Sequence, residues 1–249
     1  MGTRQQEHHF APLVDSFVVA DQLKSALQTL TFMRSLGVVP TLKTASKILE
    51  HISAGAGFDK TDEAFNMLYD LQDEGTVVDI VAMNVVVAAA ARKGDLARAV
   101  GIYTAADDWK LKPDAETFKI VLRACLQQGK PEHVSRIVEH MDKKGIKADA
   151  EVHETLILLE LKAKDRHYED AFWRLEEMKK AGFKPPAKVY ESIAEVCLSN
   201  NDTRHELVVD EMTQQGYPIS ERLAEWLEKR TAPQEKVKIQ GNRPDFLDG

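Results

Sequence analysis

A chain of 249 residues, 43% of them hydrophobic and 29% charged, can bury a full core, and its formal net charge of -7 argues against gripping long tracts of nucleic acid by bulk positive charge. No stretch approaches the roughly 20 apolar residues of a membrane-spanning helix. The two cysteines, Cys125 and Cys197, leave no disulfide framework and fall on apolar helix faces as small core residues.

Residues 1–17 lack an apolar signal core and carry Glu7 and Asp15, which is not the composition of a secretory or mitochondrial presequence. From Glu7 onward the chain reads as a series of helical pairs. Residues 7–41 predict a first helix with Phe10, Leu13, Val14 and Phe17 on one face, and a second with Ala26, Leu27, Leu30 and Met33. Residues 42–79 repeat the pattern, with about three extra residues near AGAGFDK at 54–60, where a loop absorbs them cheaply. Residues 80–114 and 115–149 are two copies laid end to end, each about 35 residues: apolar helix, polar break, amphipathic helix, Lys-x-Asp exit. In the second of these, Phe118, Val121, Leu122 and Cys125 form the apolar face. Residues 150–186 carry about two extra residues and a second helix marked by Ala171, Phe172, Leu175 and Met178; residues 187–220 are about one residue short. Residues 221–230 predict a capping helix with Leu223 and Leu227 inward, and residues 231–249 lack periodicity and predict a flexible tail.

The punctuation agrees with this period. Gly94, Gly129 and Asn200-Asn201 fall between paired helices, while Gly37, Gly75, Gly145, Gly182 and Gly216 end the second ones, where a left-handed residue is wanted. Pro40, Pro113 and Pro185 follow and bar continuation. One such pair leaves an apolar face wet, and stacking several buries it. Six in-phase copies over residues 7–220 therefore predict an all-α solenoid of stacked helix-turn-helix repeats closed by a C-terminal cap, with residues 1–230 as one domain.

Catalytic patterns are missing. The sequence has no phosphate-cradling Gly-rich loop, no His-x-x-x-His helix and no Cys-x-x-Cys, so no catalytic residue, metal site or cofactor is expected. His8 and His9 read as a solvated pair pointing apart, and His133 and His140 lack a third ligand. Trp109, Trp173 and Trp226 read as packing residues between helices.

The repeat length and the exits GIKAD at 145–149, LKPD at 111–114 and LEEMKKAGFKP at 175–185 resemble the pentatricopeptide repeat family. The resemblance implies a right-handed superhelix whose concave side binds single-stranded RNA, one base per repeat. Each base would be read by the fifth and last residues of a repeat, with the second residue packing on base faces. The implied pairs are Ala11 with Thr41, Ser46 with Asp79, Asn84 with Asp114, Lys119 with Asp149, Glu154 with Pro186, and Glu191 with Ser220. Asn84/Asp114 implies a uridine preference, Val81 is the small apolar packing residue beside it, and Arg92 and Lys93 could meet phosphates. Other copies depart from the pattern: Glu116 and Glu151 replace the packing residue, and Glu154 and Glu191 put carboxylates in reading positions, where they repel a phosphate chain.

The resemblance thus implies a non-catalytic RNA-binding adaptor of organellar RNA processing, stability or translation, with Ser46, Asp79, Val81, Asn84, Arg92, Lys93, Asp114, Lys119 and Asp149 at its interface. The acidic balance and the departures favour an alternative, a scaffold whose groove holds another polypeptide. In either case a monomer or a subunit of a larger assembly is expected, with no membrane partner. The family implies a mitochondrial location, with the cytoplasm as the alternative because residues 1–17 do not have the composition of a presequence.

Overall fold

The computed structural model describes residues 6–54, 59–162 and 168–231. The expected tail, and most of the expected 54–60 insertion, lie outside the described residues. Among the described residues all regular structure is helical: α1 (Ala11–Val19), α2 (Leu23–Ser35), α3 (Ser46–Ala54), α4 (Asp59–Asp73), α5 (Ile80–Arg92), α6 (Leu96–Thr104), α7 (Ala115–Gln128), α8 (Val134–Lys143), α9 (Ala150–Lys162), α10 (Glu169–Lys180), α11 (Ala187–Ser199), α12 (Arg204–Gln214) and α13 (Glu221–Thr231). They fall into two compact units, one ending at Pro185 and the other beginning at Pro186.

The first unit is a serial stack. α1 lies against α3, α3 against α5, α5 against α7 and α7 against α9, so the first helices of successive hairpins form one continuous layer. Their partners α2, α4, α6, α8 and α10 each pack on their own hairpin mates. Sequence explains the difference between the layers. α5 is IVAMNVVVAAAAR, and every residue from Val81 to Ala91 is buried, because neighbours cover it on several sides. α8 buries only Val134, Ile137 and Met141, one face of an amphipathic helix whose remaining side is polar. In the second unit α11 packs on both α12 and α13, burying Val189, Tyr190, Ile193 and Cys197, with Leu223 of α13 fully enclosed.

The expected turn chemistry is present. Gly145 has φ +69°, its N–H donates to the Asp142 carbonyl at 2.9 Å, and the next N–H, of Ile146, reaches back to the Met141 carbonyl at 3.1 Å. That double closure satisfies the last carbonyls of α8 and needs a residue without a Cβ penalty. Asn201, at φ +57°, takes the same role between α11 and α12, where no glycine is available.

Several expectations need correction. The second repeat starts with a turn, not with helix: α3 begins at Ser46, and in the turn before it Glu7 Oε1 accepts the Thr41 N–H at 3.0 Å and its hydroxyl at 2.6 Å, and also bonds the Thr44 hydroxyl. Leu13 is exposed, on a side of α1 that α2 and α3 leave uncovered. Trp109 does pack, against Phe65 and Tyr69, but Trp173 and Trp226 are exposed, and Arg174 lies over the Trp173 ring at 4.9 Å. The rings of His8 and His9 do not diverge; their centroids are 4.0 Å apart in a short 3₁₀ turn.

Candidate nucleic-acid interface

Ser46, Val81, Asn84, Arg92 and Lys119 lie on first helices, Asp79, Asp114 and Asp149 stand just before α5, α7 and α9, and Lys93 ends α5. The organising feature of the first-helix layer is that the residue ending one hairpin caps the first helix of the next. Asp79 accepts the Val81 N–H at 2.8 Å, Asp114 accepts the Thr117 N–H at 2.9 Å, and Asp149 accepts the Val152 N–H at 3.0 Å. Each carboxylate satisfies an orphan donor and sits at the positive end of a helix. Asp114 and Thr117 form a full capping box, with the Asp114 N–H donating to the Thr117 hydroxyl at 3.1 Å.

Asn84, one turn into α5, meets the cap of α7. Its Nδ2 donates to Asp114 Oδ1 at 3.0 Å and its Oδ1 accepts the Thr117 hydroxyl at 2.7 Å. A carboxylate can only accept, which fixes the orientation of the amide. Asn84 is 1% exposed, while Asp114 is half-buried and, among the described residues, its Oδ2 receives no hydrogen bond. Val81 is buried in the core beside this pair. Arg92 is exposed and Lys93 half-buried at the far end of α5, by the turn into α6.

Lys119 and Asp149 also come together, at 3.4 Å, but within a larger cluster. Lys119 is 2.8 Å from Glu116 and 3.8 Å from Glu151, and Arg123 bonds Glu151 and lies 3.6 Å from Glu116. The bond from Glu116 chiefly raises the Lys119 pKa. Burial works against ionisation of Asp149, but the Val152 N–H and Lys119 outweigh it and hold the carboxyl below its ordinary value. Its contribution is therefore full above the unfolded value of about 4 and lost as pH falls through the lower folded value. The stability gap between the native chain and Asp149→Asn, followed by denaturant midpoints, is expected to close as pH is lowered through that window. A gap constant with pH would show that Asp149 acts by shape alone.

Ser46 and Asp79 are not joined: among the described residues no hydrogen bond links them. Asp79 is 3% exposed, and both its oxygens are engaged, Oδ1 by the Val81 N–H and Oδ2 by the guanidinium of Arg34. Arg34, at the end of α2, was not nominated from the sequence, nor were Arg123 and Thr117. The Asp114-x-x-Thr117 spacing could have flagged Thr117 as half of a capping box; nothing local marks Arg34.

Reactive chemistry is muted. Burial pushes the Cys125 thiol up to about 11, so it is a neutral core group at ordinary pH. It lies in a cleft between α6 and α8 that also presents His133 and His140, the latter with Nδ1 3.2 Å from the Tyr103 hydroxyl. Among the described residues, no three His, Cys, Asp or Glu side chains are placed to hold a metal ion.

The stack of hairpins defines the chain as an α-solenoid of short helical repeats. Residues 1–106 match the family described as pentatricopeptide repeat-containing protein, and residues 81–222 match the pentacotripeptide-repeat region of PRORP. The chain belongs to the pentatricopeptide repeat family. An Arabidopsis thaliana pentatricopeptide repeat-containing protein is 22% identical over 141 residues, 56% of this chain and 25% of that protein. Among solved structures, pentatricopeptide repeat protein PPR10 from maize superposes with a TM-score of 0.60 at 21% identity, over 91% of this chain and 32% of that one. The repeat domain of Arabidopsis thaliana protein-only RNase P 1, solved with tRNA, superposes at 0.57 and 16% identity over 75% of this chain and 96% of that domain. The chain thus spans about a quarter of the matched Arabidopsis protein and about a third of the maize one.

Proposed function

We propose that the protein binds single-stranded RNA along its first-helix layer and acts as a non-catalytic adaptor, in organellar RNA processing, stability or translation as its family suggests. The observation that carries this reading is the Asn84–Asp114 pair, an amide buried against a cap carboxylate that keeps one oxygen unbonded among the described residues. The oxygen can accept the N3–H of a uracil, a donor that adenine lacks at its N1. Structures of PPR10 bound to an 18-nucleotide psaJ RNA element and of the RNase P domain bound to tRNA show related stacks holding RNA.

The test is titration of labelled oligo-U and oligo-A at low salt. The native chain is expected to favour oligo-U, and Asn84→Ala to lose about fivefold of that preference, the worth of one hydrogen bond of about 1 kcal/mol. Because Asn84 is buried, Asp114→Asn, which keeps the cap and the shape, serves as a second variant. Unchanged preference in both, with folding intact, would remove this pair from recognition.

A second reading has its own observation. On α7 and α9 the cations Lys119 and Arg123 are already neutralised by Glu116, Glu151 and Asp149, leaving little there for a phosphate. That ion lattice suits a polypeptide partner. Failure to bind any single strand at low salt would favour it.

A further inference from the structure

Counted back from the residue that ends each hairpin, one place on the second helix meets the hairpin before it. Five residues before Asp79 stands Glu74, 2.6 Å from Lys24 of the first hairpin. Five before Asp114 stands Trp109, packed on Phe65 and Tyr69 of α4, and five before Asp149 stands Lys144, bonded to Asp107 of the third hairpin. The same place in the first hairpin, five before Thr41, is Leu36, 45% exposed. Phe32, one turn earlier, is 54% exposed, while its counterpart His140 has Nδ1 3.2 Å from the hydroxyl of Tyr103 on α6. The first helices agree: the seventh residue of a repeat is buried at Ile48, Val86, Val121 and Leu156, whereas Leu13 is 43% exposed. The leading side of the first hairpin is therefore built like a contact between hairpins, and no described residue covers it.

We infer that a second copy of the chain docks on this side, face to face, in a two-fold dimer. By helical spacing the surface comprises Leu13 and half-buried Phe17 on α1 and Phe32 and Leu36 on α2, interleaved with Ser16 and Gln28. None of these six is charged in a chain that is 29% charged, so the surface meets its own image without repulsion. At the matching places of later hairpins stand Glu74 and Lys144, whose ion partners an apolar face does not offer. The last helix, α13, is a poor occupant. Its exposed Trp226 is flanked by exposed Arg222 and Lys229, and head-to-tail pairing would set those charges against leucine and phenylalanine. α2 is about 20 Å long and two helices side by side are about 20 Å wide, an outline of roughly 400 Å² per copy. That is near the lower limit for a specific interface, so the dimer is reversible. The inference does not depend on RNA being bound.

Sedimentation equilibrium of the full chain over a rising concentration series tests this. The mass is expected to climb from 27.9 kDa to twice that value and to stop there. Leu13→Glu/Leu36→Glu and Leu13→Lys/Leu36→Lys alter exposed sites, so each should keep the native thermal midpoint and stay at 27.9 kDa. An equimolar mixture of the two should regain the dimer, because opposite charges meet when the faces pair, and recovery on mixing shows that neither variant had merely misfolded. Leu207→Glu, at a site 70% exposed on α12, should dimerise like the native chain. A native chain that stays at 27.9 kDa, or that grows past the dimer, overturns the inference. So does a dimer that survives in the Leu13/Leu36 variants or is lost in Leu207→Glu. Variants that separate and do not recombine on mixing overturn the face-to-face arrangement.

Discussion

Phe118→Ala is expected to remove about 3–5 kcal/mol of stability, the cost of emptying a fully buried aromatic site. Phe118 has no exposure and meets the ring of Tyr103 edge-on at 5.7 Å and that of His140 at 5.9 Å, so one side chain joins α6, α7 and α8. In a stack where each hairpin touches only its neighbours, such a loss is not shared evenly; the hairpins around the cavity open first. Denaturant unfolding should split into two transitions, and hydrogen exchange should quicken first in α5 to α8. A single cooperative transition shifted by under about 1 kcal/mol would mean that the site collapses and refills, against the packing described.

Arg34→Ala is expected to cost about 2 kcal/mol. Breaking a buried ion pair typically costs more, about 3–5 kcal/mol, but Arg34 is itself 45% exposed and water can reach the space it leaves. The loss arises almost wholly at Asp79, whose side chain is 1% exposed and would keep only the Val81 N–H as a partner. Asp79→Asn in the Arg34→Ala background should therefore recover most of the deficit, since an amide still caps α5 and carries no charge. A cycle of the four proteins by chemical denaturation decides it. Additive losses in the double variant would show the pair to be uncoupled.

The sequence made the architecture readable because the period is enforced by physics acting locally. Turns at Gly37, Gly75, Gly145, Gly182 and Gly216 all adopt positive φ, and the apolar spacing of α5 and α7 marks their buried faces. The Asn84–Asp114 hydrogen bond spans 30 residues, and only the resemblance to the family points to that pairing in the sequence. What stayed hidden was side-chain chemistry between hairpins. Arg34 finds Asp79 across 45 residues, and Glu7 reaches Thr44 across 37. Glu116 and Glu151, taken individually, look like repulsive intrusions; together with Lys119 and Arg123 they are a neutralised lattice. Charge partners on neighbouring turns of a stack leave no trace in a linear pattern.

The double duty of Asp79, Asp114 and Asp149, each closing one hairpin and capping the next helix, restricts which residues can replace them. If these places read bases as proposed, a substitution there must also start a helix, so Asp, Asn, Ser, Thr and Gly are cheapest, and replacing one of these carboxylates by an apolar residue such as Ala costs about 1 kcal/mol. Swaps inside that set alter hydrogen-bond polarity while leaving the scaffold standing. On that reading a drift in preference from one base to another is open in single steps at little cost to the scaffold, whereas an apolar replacement at Asp79, Asp114 or Asp149 also gives up a helix cap.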